Sequence, residues 1–273
     1  MRILIRTSKW AIWASRLGSV AVPLLLISIL LHRLRLIVGD VFLAAAGTAG
    51  LVALLAVLVA VIALVRLWFS GDQGWGKALQ GLVLGVLCMA PFGYYAALAL
   101  HYPAVTDIAT TDRGLLPLVF EAGTVAMPPP KLLSASAIAT IFPNVASRNY
   151  PLGAAQTFEV IKRQVQELGW DIRLDRAPTP EGGAGQLNAQ IMTLPGWREE
   201  AVLRVIGDAT TARVDMRSAS LNAPHDFGNN GERIEAFLSE LDDAITTLLR
   251  DNPNANQPVE VEPEAEPLVA PPG

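Results

Sequence analysis

The sequence predicts a membrane α-helical N-terminal part of three transmembrane helices followed by an α+β soluble domain, an antiparallel sheet with two helices on one face. Three observations predict it. Residues 41–65 and 78–100 are apolar runs without a single charge, each longer than the ~20 residues that cross a bilayer core. Charge divides the chain: residues 1–100 carry eight Lys/Arg against two acidic residues, and the remainder carries thirteen against twenty-three. From residue 154 onward the hydrophobic period runs helical, then alternating over four segments, then helical again.

The first span is residues 10–31. It holds Arg16, one or two turns inside the end, where a long side chain can snorkel to the interface. A cleaved signal peptide is the rival reading, but the apolar stretch runs into HRLRLIVGD, which offers no small-x-small cleavage site, so an uncleaved anchor is expected. Ala49, Ala53, Ala56 and Ala60, with Gly81 and Gly85, recur at spacings that let helices approach closely. Spans two and three contain no ionisable group of the kind a pump or ion path needs, so the repeats predict mutual packing.

With the N-terminus inside, Arg2, Arg6, Lys9, Arg16, Arg66 and Lys77 flank the cytoplasmic ends, against Arg33, Arg35 and Arg113 outside. The excess of basic flanks inside predicts an inner-membrane protein whose C-terminal domain is periplasmic. The acidic balance of that domain repels phosphate backbones and excludes nucleic acid as a partner. The lipid bilayer is the partner implied by the three helices, and an envelope protein or a small anionic ligand is the partner left for the domain. No cofactor is implied.

Residues 1–100 thus form the anchor, and 101–134, rich in turn formers and closing on Pro128 to Pro130, read as a linker. The soluble domain is 135–250. Its first helix, 154–168, places Phe158, Ile161, Val165 and Leu168 on one face and meets Gly169 at its end. Strands follow at 170–175, 187–191, 201–206 and 211–217, with Pro195-Gly196 and Gly207-Asp208 at turns, and short connections make neighbours antiparallel. The second helix starts at Asn230 and carries Ile234, Phe237, Leu238, Leu241, Ile245 and Leu248. One-sided apolarity packs both helices on one sheet face. Residues 251–273, with six prolines and four glutamates in the last twenty-two, predict a disordered tail.

Polar residues concentrate in VDMRSASLNAPHDFGNNGERIEAFL, between the last strand and the last helix. Candidate ligand-binding residues are Arg217, Ser218, Ser220, Asp226, Asn230 and Arg233. A hydrolase reading takes Ser218 or Ser220 as nucleophile, His225 as base and Asp226 as its orienter. Adjacent residues seldom align an imidazole with its carboxylate, and no Gly-x-Ser-x-Gly elbow is present. An anion site would use Arg217, the serine hydroxyls and the amides of a helix start. In the structural reading Asn229 and Glu232 make a capping box, and Arg217 pins strand to helix through Asp226 or a carbonyl. His32, His101 and His225 show no metal-ligand spacing, and the sole cysteine, Cys88, forms no pair, so neither a metal nor catalytic residues are assigned.

Arg217-Ser218-x-Ser220, followed by Asp226-x-Gly228-x-Asn230-x-x-Arg233-Ile234, resembles the signature of the bacterial domain-of-unknown-function family 1499. TDIATTD from Thr106, FPNVASRNYPL from Phe142 and GWREEAVLRV from Gly196 are similar to further segments of that family. The sequence departs from the family pattern at Leu221, Ala223 and His225, where arginine, glycine and serine are usual. The resemblance implies a three-helix membrane anchor carrying a small domain, and no established activity.

Overall fold

The computed structural model describes residues 6–119, 127–179 and 182–255. Helices α1 (Lys9–Arg33), α2 (Gly39–Ser70) and α3 (Trp75–His101) pack into a bundle, and each is long and apolar enough to cross a membrane. The small residues make that packing possible. Ala49, Ala53, Ala56 and Ala60 are fully buried. A Cβ on Gly81 would sit 2.4 Å from the backbone of Ala14, and one on Gly85 2.7 Å from Val57, so any larger residue would push the helices apart. Arg16 lies with its guanidinium 5.7 Å from the Trp13 ring centroid, at the exposed edge of α1.

The soluble part holds β1 (Asp107–Ala109), α4 (Ala135–Ile141), β2 (Arg148–Tyr150), α5 (Ala154–Glu167), β3 (Asp171–Arg176), β4 (Gly185–Met192), β5 (Arg198–Gly207), β6 (Ala212–Ser220) and α6 (Asn229–Asp251). The four strands and two helices expected from periodicity are all present, with α5 stopping before Gly169, whose φ is +67°. All pairings are antiparallel, in the order β1-β6-β5-β4-β3. β2 pairs with the start of β6 and β1 with its end, so these two short strands share one edge in tandem.

β1 is a departure from expectation. It comes from the segment read as a linker, and a three-residue strand is too short to show alternation. A 3-10 turn at Arg113–Leu115 follows it. Phe158, Ile161 and Val165 of α5, with Ile234, Phe237, Leu238, Leu241 and Ile245 of α6, meet Leu187, Leu203, Val214 and Met216 in one core. Each such side chain contributes roughly 1.5–3 kcal/mol by leaving water. Both helices therefore cover one sheet face, as expected.

The opposite face is not open to solvent along its length. Residues 110–119 lie across it as a strap, and beneath them Gln186, Asn188, Glu200 and Arg217 are buried. Asn188 donates to Pro117 O at 2.9 Å and to Glu200 Oε1 at 2.7 Å, and Val119 N–H donates to the same carboxylate oxygen at 2.6 Å. Burial raises the Glu200 carboxyl above its ordinary value, against those hydrogen bonds. Beyond Arg250, α6 ends at Asp251, and the tail expected to be disordered lies outside the described residues from 256 onward.

Candidate functional site

In an antiparallel pair, directly opposed residues share a face. Ser218 opposes Ala201 and Ser220 opposes Glu199, which places Ser218, Ser220 and Glu199 on the helix-covered face. α6 crosses there and contributes Asn230 and Arg233. The five side chains close a ring. Arg233 pairs with Glu199 Oε2 and donates to Ser218 Oγ at 2.8 Å. Ser218 Oγ donates to Asn230 Oδ1 at 2.7 Å, Asn230 Nδ2 donates to Ser220 Oγ at 3.1 Å, and Ser220 Oγ returns to Glu199 Oε1 at 3.1 Å. Asn230 also donates to Thr106 O at 3.3 Å, tying the ring to the residue preceding β1.

Arg217 is absent from this group, because neighbouring strand residues point to opposite faces. It lies under the strap, where Nε and Nη2 reach Asp107 Oδ1 and Oδ2 at 3.0 and 2.7 Å and Nη1 donates to Leu116 O at 2.8 Å. The expectation that Arg217 pins the strand to the helix through Asp226 or a carbonyl is corrected: its carboxylate is Asp107 and its carbonyl that of Leu116, so it pins the strand to β1 and the strap instead. Arg217 and the serines stand on opposite sides of the sheet, so the anion site built from both is not assembled.

Asp226 takes the role expected of Asn229. Asn229 is the first residue of α6, and Gly228, with φ +85°, occupies the cap position. The Asp226 carboxylate accepts from Gly228 N at 3.1 Å and Asn230 N at 3.4 Å, capping the helix from two residues further back. Glu232 accepts instead from the Tyr102 hydroxyl, at 2.5 Å, and holds that phenol at about 12. Burial pushes the Asp226 carboxyl up to about 6; the amides of Gly228 and Asn230 oppose the rise and the charge of Glu199 adds to it.

His225 Nδ1 accepts from Phe227 N at 2.9 Å, and the imidazole stacks on the Phe227 ring with centroids 4.5 Å apart. A nitrogen that accepts a backbone N–H cannot donate to a carboxylate, so the 3.8 Å approach of Asp226 Oδ1 does not orient this imidazole as a base. Burial lowers the His225 pKa, Lys131 adds to that, and a hydrogen bond to the Tyr102 backbone opposes it. Phe227 itself sits at φ +55°, a conformation costly for an aromatic residue.

Beside this corner the domain is seated on the bundle. Trp197, from the turn between β4 and β5, lies against the His32 and Phe42 rings at 4.7 and 5.8 Å, and a Cβ on Gly39 would sit 2.7 Å from its indole. His32 Nδ1 contacts Pro195 O at 2.7 Å, and Arg33 donates to Thr193 O and Leu194 O at 2.9 Å each. Phe227 meets Tyr95 of α3 at 5.0 Å. Between the two parts is a cavity of about 220 Å³. Leu25, Phe42, Ala46 and Phe92 give its apolar wall, and Glu199, His225 and Asp226 stand at its polar end.

Asp226 and Glu199 adjoin both the cavity and the ring, so four of the predicted residues, Ser218, Ser220, Asn230 and Arg233, stand behind the cavity's polar end and Asp226 lines it. Glu199, Trp197 and the bundle residues were missed. The available signal for Glu199 was the pair Glu199-Glu200 in a strand, which must send one carboxylate to each face.

The arrangement defines a class of protein: an antiparallel α+β domain seated on three helices long and apolar enough to cross a membrane. Residues 124–241 match the model of the family described as Protein of unknown function (DUF1499), the family indicated by the motifs. The match begins after β1, which completes the sheet, and after the strap, which covers one of its faces. No curated protein and no solved structure matches the chain.

Proposed function

We propose that the chain is a three-span inner-membrane protein whose domain faces the periplasm and binds a partner or small envelope component at its junction with the bundle, without chemistry. One observation carries the reading: the domain closes over the end of the bundle around a cavity whose wall is apolar and whose inner end is polar. Binding sites have this construction, apolar walls with a few placed polar groups. The strained Phe227 in the cavity wall supports it, since such conformations gather at ligand contacts.

Both serine hydroxyls donate into the ring, and His225 receives a backbone amide, which supports binding over nucleophilic chemistry. The orientation rests on the basic flanks at the N-terminal end of α1 and around the α2–α3 turn, at the end of the bundle away from the domain. Alkaline phosphatase fused after Arg250 is expected to be active, and fused in the α2–α3 turn to be silent. The reverse would put the domain in the cytoplasm. Mass spectrometry of the purified full chain should show a bound small molecule or protein partner that is lost in Ala223→Trp, a substitution that fills the junction; retention in that variant would move the site elsewhere.

A further inference from the structure

The junction cavity has a shape and a charge that narrow its occupant. Its volume, about 220 Å³, exceeds the ~150 Å³ that takes up benzene and is below the roughly 300 Å³ of the smallest drug-sized pockets, so part of one hydrocarbon chain fits and a whole lipid does not. Access is from the side. Leu43 is 45% exposed and Tyr95 is half-buried, so the wall opens on the outer surface of the bundle, where lipid chains would lie.

The polar end discriminates by charge. No lysine or arginine lines the cavity among the described residues. The Glu199 charge is answered by Arg233 within the ring, whereas Asp226 is held by hydrogen bonds from Gly228 and Asn230 at the helix start. An anionic head would be repelled by the field of the two buried carboxylates, Glu199 and Asp226, in a poorly solvated space, and an ammonium or hydroxyl head would not.

We propose that the junction cavity binds a membrane amphiphile through one apolar chain, inserted from the side of the bundle, with an ammonium or hydroxyl head at the polar end formed by Glu199, His225 and Asp226. This rests on the reading of the junction as the binding site. The chain enters between Leu43 and Tyr95 and lies along Leu25, Phe42 and Phe92. Phe227 and His225, stacked on each other, form the lid over the head. The chain's partners are contributed by the bundle and the head's partners by the domain, so neither part alone completes the site.

The test uses the full chain in phosphatidylcholine nanodiscs with three photoreactive probes of equal chain length, dodecylamine, dodecanol and dodecanoate, each carrying a diazirine near the chain end. Cross-linked peptides are mapped by mass spectrometry. The amine and alcohol are expected to label the peptides containing Leu25 and Phe42 about tenfold more strongly than dodecanoate does, as a head-group preference of that order would give. Excess unlabelled dodecanol should abolish the labelling, a control that needs no variant, and Ala223→Trp should do the same. Localised labelling that favours dodecanoate would keep the junction as a binding site and overturn the ligand class. Labelling spread evenly over the exposed faces of the bundle, and indifferent to the competitor, would overturn both readings.

Discussion

Asp107 and Arg217 form a bidentate ion pair buried between sheet and strap, with oxygen–nitrogen distances of 3.0 and 2.7 Å and no exposure at Asp107. Arg113 adds a bond to the Asp107 carbonyl at 3.0 Å, and its Nε lies 3.3 Å from Oδ1 without the alignment of a hydrogen bond. The pair joins the segment before the family match to the motif at its end.

Removing one partner leaves a buried charge alone, which costs about 3–5 kcal/mol, whereas replacing both with apolar residues costs far less. Asp107→Ala is therefore expected to lower stability by about that amount in denaturant melts, and Asp107→Leu with Arg217→Met to recover most of it. Equal losses in the single and double variants would show that the pair does not act as a unit.

The same pair yields a prediction about where the folding unit begins. A fragment starting at residue 102 keeps β1 and the strap, and one starting at 135 loses them and leaves Arg217 without Asp107. The longer fragment should melt cooperatively and the shorter should aggregate or melt without a clear transition. Soluble, cooperative behaviour of the shorter one would mean that the strap is dispensable.

Asp226 predicts a pH response. Its folded pKa, about 6, lies above the ordinary 3.8, so its contribution favours the folded state fully below 3.8 and is lost as pH rises through 6. The shift corresponds to about 3 kcal/mol at most. Asp208 acts in the opposite sense: hydrogen bonds from Thr210 and Thr211 hold it at about 2, so its contribution is present above 3.8 and falls away towards 2. Asp226→Asn keeps an acceptor oxygen for Gly228 N and removes the charge. It should raise the melting temperature at pH 7.5 and flatten the profile between pH 4 and 6; an unchanged profile would assign the response to another group.

The ring makes Arg233 stringent. It serves Glu199 and Ser218 at once through two nitrogens of one planar group. Arg233→Ala should destabilise by about 3–5 kcal/mol by leaving Glu199 buried and unpaired, Arg233→Lys should restore only part, and Ser220→Ala should cost about 1 kcal/mol. Full rescue by lysine would show that charge alone matters.

What could be read from the sequence follows from the range of each interaction. α5 and α6 declare themselves through i, i+3, i+4 spacing, and β3 to β6 through alternation, because both signals are local. β1 spans three residues and has no local signature; its place is set by partners 112 and 110 positions away, at Ala219 and Ser218. Ser218, Ser220, Asn230 and Arg233 were legible as a cluster because the turn keeps them within sixteen residues of each other. Arg217 was grouped with them by sequence proximity, and the pleat separates it. Trp197 reads as one more strand-end aromatic until Gly39 and Phe42 are brought to it from the far end of the chain.

The path from α3 to the sheet is short. α3 ends at His101 and β1 begins at Asp107, so even fully drawn out the intervening backbone reaches only about 20 Å. The domain is moored. It stays within that reach of the bundle end, and any counterpart would have to travel there or already lie beside the helices.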